Sequence, residues 1–404
     1  RLMTVDAAEH YDNAKAKRNA VILALAQALF GAIGTAMAVT AGLIGSQLAP
    51  TVSLATMPVS VMIIGTAVST FPISLMMRRI GRRAGFIACA LVGFVGALIG
   101  LAAIILQFFS LFLAGCALIG VYQASASYYR FAAADLASPA FRPKAISWVL
   151  TGGILAAVAG SAMVMKTVDL FAPITFAGSW AAMAVISLVA ALLLIPLDIP
   201  TATEAHATTG RPLAEIATQP RYIVAALSAM LSYGIMVLVM TATPVAMLGC
   251  GFTVNDSAWV IQWHAIAMFL PSFFTGHLIV RFGAEKIAAG GMLLLVGAAI
   301  SGLMGIHFEN FAVGLILLGL GWNFGFLGGT TLLTTTYEPA EKNKAQGLND
   351  LMVFCTNALA SLAAGMLLAG SGWNAVNYAV FPMVALALVM IGWLMTHRKA
   401  TPVT

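Results

Sequence analysis

The sequence predicts an all-α membrane protein with twelve transmembrane helices in two six-helix bundles, and three observations predict it. The 404 residues are 61% hydrophobic and 8% charged, with a mean hydropathy of +0.97. Soluble domains carry about a quarter of their residues as charges, so lipid is the solvent for most of this chain. Apolar runs of about 20 residues recur between short polar loops, and a helix needs about that many to cross a bilayer. Backbone groups in hydrocarbon must be satisfied within the segment, which makes such runs helices. Finally, the chain repeats: "RIG" at 79–81 returns as "RFG" at 281–283, and "PAFRPKA" at 139–145 as "PAEKNKA" at 339–345. Both matches fall in the loops after the second and fourth helix of a half, the mark of a duplicated two-lobed transporter with a central path.

In chain order, a polar N-terminal segment (1–18) with no likeness to a cleaved signal peptide precedes helices over 19–46, 53–77, 84–105, 108–135, 143–165 and 171–197. A polar linker, 198–220, leads to helices over 221–247, 256–281, 285–305, 309–336, 343–369 and 373–396, and 397–404 forms a tail. The basic residues orient this bundle. Lys15, Lys17, Arg18, Arg78, Arg79, Arg82, Arg83, Arg142, Lys144, Arg211, Arg281, Lys286, Lys342, Lys344, Arg398 and Lys399 all fall in the even-numbered loops, the linker or the termini. Lys166 alone lies in a loop on the other side. Cytoplasmic loops collect Lys and Arg, so both termini are expected in the cytoplasm of a bacterial inner-membrane protein. The net charge of +6 therefore reflects topology and gives no nucleic-acid surface. No nucleotide loop, HExxH, catalytic triad or paired-carboxylate site occurs, so an enzyme is not expected and no cofactor is required. Of four scattered cysteines, Cys89, Cys116 and Cys355 lie in apolar runs and are expected in the core, whereas Cys250 stands in "GCGF" at a helix end.

Two short patterns stand out inside the seventh and eighth helices. Met236 and Met240 in "MVLVM", and His264 and Met268 in "HAIAM", are each four residues apart and so share a helix face. Counted from the span midpoints, the two pairs overlap in depth, from about 0 to 9 Å above the midplane at 1.5 Å per residue. Thioethers carry no charge and select Cu(I), and imidazole also binds copper. Such a set could hold a dehydrated monovalent ion without burying carboxylates. The plain alternative is packing: Met fills irregular gaps, and the chain has 21 of them. A lone intramembrane His could equally relay protons or bond the backbone.

The loop "SLMMRRIGRRAG" (74–85) resembles the signature loop of the major facilitator superfamily. Arg79, Gly81, Arg82 and Arg83 match it, while Ser74 replaces its Gly and Arg78 its Asp, which puts in doubt the charge relay ascribed to that loop in proton-driven members. MxxxM followed by HxxxM resembles the CcoA-like branch, bacterial copper importers of the cytoplasmic membrane that serve cbb3-type oxidase assembly. The resemblance implies copper as the transported substrate, Met236, Met240, His264 and Met268 as its ligands, and a periplasmic or cytoplasmic copper chaperone as partner. Cysteines matter in that branch, and Cys250 stands where an entry thiol could hand over copper. The same branch contains riboflavin importers, so a small organic substrate stays open, and multidrug efflux stays open for the fold.

Further candidates are ionisable groups and residues related by the repeat. Arg130 and Asp135 in helix four and Asp350 in helix eleven are expected to pair, gate or couple. Asp256 is expected near a helix N-cap. The offset of 202 maps His264 onto Met62 and Met268 onto Thr66, placing Met62 at the same cavity as a relay. Tyr233, Trp259, Trp263 and Trp322 could line a path for a flat substrate.

Overall fold

The computed structural model describes residues 13–133, 137–138, 141–199, 210–338 and 341–397, and all regular elements among the described residues are helices. The N-terminal half comprises α1 (Asn13–Leu48), α2 (Met57–Ile80), α3 (Arg82–Leu106), α4 (Phe109–Ala126), α5 (Arg142–Thr167) and α6 (Ala177–Leu193). The C-terminal half begins with α7 (Pro220–Gly249), and α8 follows as Val254–Phe269 bent into Ser272–Phe282. Next come α9 (Ala284–Met304) and α10 (Phe308–Leu333). Helix continues over Lys342–Tyr378 and Val380–His397, but Gly372, at φ +77°, breaks it into α11 (342–371) and α12 (373–397).

Three expected spans differ, each for a local reason. α4 stops at Ala126, beyond which the ladder tightens: the Tyr128 amide bonds the Ser125 carbonyl three residues back, at 3.0 Å, in place of the Ala124 carbonyl, to which the Ser127 hydroxyl donates. One further turn, Tyr129–Ala132, follows it. α6 starts at Ala177 rather than 171, because Pro173 and the left-handed Phe176 (φ +70°) hold 171–176 as loop. The expected continuous 256–281 is broken at Leu270–Pro271 and bent by 42°. α1 instead runs longer than expected. Its polar start is tied to the chain beyond α6 by Lys15–Asp198 (3.2 Å) and by Asn19, which donates to the Asp198 carbonyl (2.6 Å).

The repeat seen in the sequence is structural. Gly81 (φ +85°, ψ +155°) separates α2 from α3, and Gly283 (φ +91°, ψ +150°) separates α8 from α9, a backbone shape that L-residues rarely adopt. The main contacts of one half have their counterparts in the other. α1 packs on α5 as α7 packs on α11, α2 on α4 as α8 on α10, and α3 on α4 and α6 as α9 on α10 and α12. Small residues allow the close approach: a Cβ on Gly115 of α4 would lie 2.8 Å from the Gly100 nitrogen of α3.

The halves meet where α5 crosses α8, α2 crosses α11, and α1 reaches α7 and α8. At one end of this seam lie the basic loops around Arg78–Arg83 and Arg281. At the opposite end, a Cβ on Gly42 would lie 3.2 Å from Val245 Cγ2. There, too, the buried Thr56 hydroxyl donates to the Ser361 carbonyl (2.6 Å) and accepts from the Gly365 amide (3.1 Å). Ser361 and Gly365 are one turn apart on α11, so a side chain of one half enters the backbone ladder of the other.

Candidate functional site

A cavity of about 290 Å³ lies between the halves, near the lower end of the roughly 300–1,000 Å³ usual for small-molecule sites. α7 and α8 turn Met236, Met240, His264 and Met268 toward it together, because four-residue spacing keeps each pair on one face. Met62 and Thr66 reach the same space from α2, the positions that the repeat relates to His264 and Met268.

His264 is held firmly. Its side chain is 1% exposed, and Nδ1 lies 2.8 Å from the Leu315 carbonyl of α10. A carbonyl only accepts, so Nδ1 carries the proton, and Nε2 is left without a protein partner. The bend of α8 is supported from the same neighbour. Buried Asn323 of α10 donates to the Met268 carbonyl and to Ser272 Oγ, both at 2.7 Å, and accepts from Thr275 Oγ1 at 2.7 Å. Pro271 interrupts the helical ladder here, and Asn323 satisfies a carbonyl that the interruption frees.

The remaining wall contains groups that a search for ionisable residues passes over. Gln27 of α1, Gln123 of α4 and Asn357 of α11 bring three amides to the cavity, with Phe30, Phe269 and Phe354 among the flat surfaces. Tyr233 also lines it and is backed by Trp322, which stacks on Phe326 at 5.3 Å and 9° between planes. No Asp, Glu, Lys or Arg is among the lining residues. The signal for the amides was present in "LAQAL", "VYQAS" and "CTNAL": an uncharged polar side chain in the middle of an apolar run.

Other expected residues lie elsewhere. Cys250 is exposed at the end of α7, outside the cavity wall, and Cys355, expected in the core, is exposed on α11. Cys89 and Cys116 are buried. Trp259 and Trp263 pack on each other on an exposed face of α8 and do not line the path. Asp256 closes a capping box with Thr253, its carboxylate accepting from the Thr253 amide at 2.8 Å. Arg130 stacks over Phe131 and faces Asp350 across the seam, within electrostatic reach. Asp135 lies outside the described residues. Arg79 and Arg83 are exposed at the basic end, with Arg82 half-buried beside them. Among the described residues no three His, Cys, Asp or Glu side chains gather as a metal cluster.

The Major Facilitator Superfamily profile matches residues 22–253 and again 225–404. The chain belongs to the major facilitator superfamily. It is thus a multi-pass membrane protein of a transporter family. It is 44% identical over 381 residues, 94% of this chain and 96% of the relative, to the riboflavin transporter RfnT of Brucella anthropi. An uncharacterized MFS-type transporter of Bacillus subtilis, YdeG, is 32% identical over 93% of this chain and 92% of its own. Among solved structures, the nucleoside transporter NupG superposes with a TM-score of 0.67 at 16% identity, covering 94% of this chain and 99% of that one. At that identity the superposition speaks for the superfamily's fold alone. The copper branch of the superfamily finds no support among these relatives.

Proposed function

We propose that this protein is a secondary carrier that imports a small, neutral, planar organic molecule of the riboflavin type across the bacterial cytoplasmic membrane by alternating access. The observation that carries this reading is the cavity wall: amides and aromatic faces with no charged side chain. A flat ring with polar edges matches such a wall, its faces on Tyr233, Phe269 and the thioethers and its edge on Gln27, Gln123 and Asn357. The 44% identity to a riboflavin transporter over nearly the whole chain supports the same substrate class. The concentration of Lys and Arg in one set of loops supports cytoplasmic termini. Expression in a riboflavin auxotroph is the direct test. Growth on low riboflavin and uptake of labelled riboflavin are expected, and a folded, membrane-inserted protein that gives neither overturns the reading.

Copper remains the second reading, because Met236, Met240, Met268 and the open Nε2 of His264 share one space. Against it, no carboxylate or thiolate lines the wall to neutralise a cation. Radioactive copper uptake that falls with Met240→Leu and with His264→Leu would favour copper. Copper uptake indifferent to both removes it.

A further inference from the structure

We propose that His264 accepts a hydrogen bond from a ring N–H of the substrate, so that the site selects planar heterocycles carrying an imide edge, an N–H flanked by two carbonyls. The inference rests on the carrier reading above and says which atom of the substrate is recognised.

The argument starts from the Leu315 carbonyl. Having no proton of its own, it fixes the His264 proton on Nδ1 at 2.8 Å and leaves the neutral ring with a lone pair on Nε2. That nitrogen is buried, has no partner within the protein, and belongs to a ring that lines the cavity. A buried acceptor without a donor is costly, so whatever fills this space must bring a donor. The ring cannot turn over to escape the demand, since the carbonyl of α10 still requires one N–H. Hydrogen-bond acceptors are common on small heterocycles, but a fixed protein acceptor selects the rarer ring N–H.

The surroundings supply the complement. Gln123 lines the cavity with an amide whose Oε1 lies 3.2 Å from the Thr66 hydroxyl, a hydroxyl that also reaches the Met62 and Gly120 carbonyls at 3.0 and 3.1 Å, and the amide brings an NH2 donor to this wall. Gln27 and Asn357 bring further amide donors. An acceptor together with amide donors is the pattern that an imide meets with its N–H and its two carbonyls. Asn357 Oδ1 is a second buried acceptor without a partner, suited to a hydroxyl on a side chain of the substrate.

The test compares riboflavin with its N3-methyl derivative, identical except at the imide N–H, in vesicles reconstituted with the full-length protein. The parent is expected to take up riboflavin about 10- to 100-fold faster at limiting concentration, the loss expected when a buried acceptor faces a methyl group. His264→Phe, which removes the acceptor, should bring the ratio near one by slowing riboflavin selectively, and His264→Gln, which keeps an acceptor, should restore part of the preference. If the parent carries both compounds equally, or if His264→Phe keeps the full preference, the role of His264 is overturned while the carrier reading survives. If the folded parent neither binds nor moves riboflavin, the carrier reading falls and this inference falls with it.

Discussion

At the end of the bundle that holds residues 50–56, the two halves join through buried backbone, whereas at the basic end they face each other through charge. Thr56 enters α11 between the Ser361 carbonyl and the Gly365 amide, and Gly42 abuts Val245 nearby. At the basic end, Arg130 and Asp350 oppose one another, both accessible to solvent. The difference matters because a carrier must open each end in turn. When the Thr56 hydroxyl withdraws, the Ser361 carbonyl and the Gly365 amide are one helical turn apart and can bond to each other. No backbone group is then orphaned, and the hydrogen-bonding part of the cost of opening is on the order of one hydrogen bond, about 1 kcal/mol. Both ends are thus built for small differences in free energy, one by exchanging backbone partners and one by screened charge.

The largest effect should come from a side chain placed at the backbone contact. A Cβ on Gly365 would lie 2.5 Å from Thr56 Oγ1 and 2.8 Å from the Ser53 carbonyl. Gly365→Val should therefore force this end apart, abolish most uptake, and expose the cavity on that side. Met62→Cys in a background with both exposed cysteines removed, Cys250→Ser and Cys355→Ser, reports it, because Met62 lines the cavity. Labelling by an impermeant thiol reagent from the side of residues 50–56 should rise at least tenfold over the Gly365 parent. Unchanged labelling would mean that the contact does not hold this end closed. Thr56→Val is the milder version, losing the hydroxyl at nearly constant shape. It should raise the same labelling about fivefold, in line with about 1 kcal/mol, and Thr56→Ser should leave it near the parent.

The contrast between the ends also shows what a linear sequence conveys. The duplicated "RIG" and "RFG" loops, and with them the two halves, were legible, because Gly81 and Gly283 answer a backbone demand that is local. The breaks were not. α2 contains Pro72 and runs on to Ile80 as one helix, while α8 breaks at Pro271. What distinguishes them includes Asn323, 52 residues further along, which takes up the freed Met268 carbonyl. Depth counting brought Met236, Met240, His264 and Met268 to one level, and the structure lines one cavity with all four. The same counting could not say which face of α8 Trp259 and Trp263 share, since no residue there is charged enough to reveal the lipid side. Gln27, Gln123 and Asn357 escaped because amides bear no charge, though in hydrocarbon they too need partners.

At the basic end the expected effects are smaller. Asp350→Asn removes the attraction across the seam and should slow uptake several-fold while leaving thermal stability nearly unchanged, since exposed charge pairs contribute about 0–1 kcal/mol. The exchange Arg130→Asp with Asp350→Arg should recover part of the rate. Failure of the exchange, with both single variants impaired, would assign the two residues separate roles.

The smallest effect belongs to a charge pair that ties the linker to the C-terminal half and leaves the seam alone. Arg211 holds Glu341 through two parallel bonds, Nε to Oε1 at 2.9 Å and Nη2 to Oε2 at 2.7 Å. The Arg211 amide adds a third, to Oε1 at 2.7 Å, and the Glu338 amide a fourth, to Oε2 at 3.0 Å. The guanidinium, ahead of the backbone amides, pulls the Glu341 carboxyl down to about 2. A carboxyl lowered on folding contributes stability that is fully present above its ordinary range and is lost as pH falls toward its folded value. The thermal midpoint of the purified protein should therefore hold level from pH 8 to about pH 5 and decline below it, as carboxylates bonded in the folded state take up protons. Glu341→Gln should lower the plateau slightly and flatten the decline. Because Arg211 anchors the linker and does not cross between the halves, this substitution should leave the labelling of Met62→Cys unchanged at either end. A shift in that labelling would instead show that the linker biases which end is open.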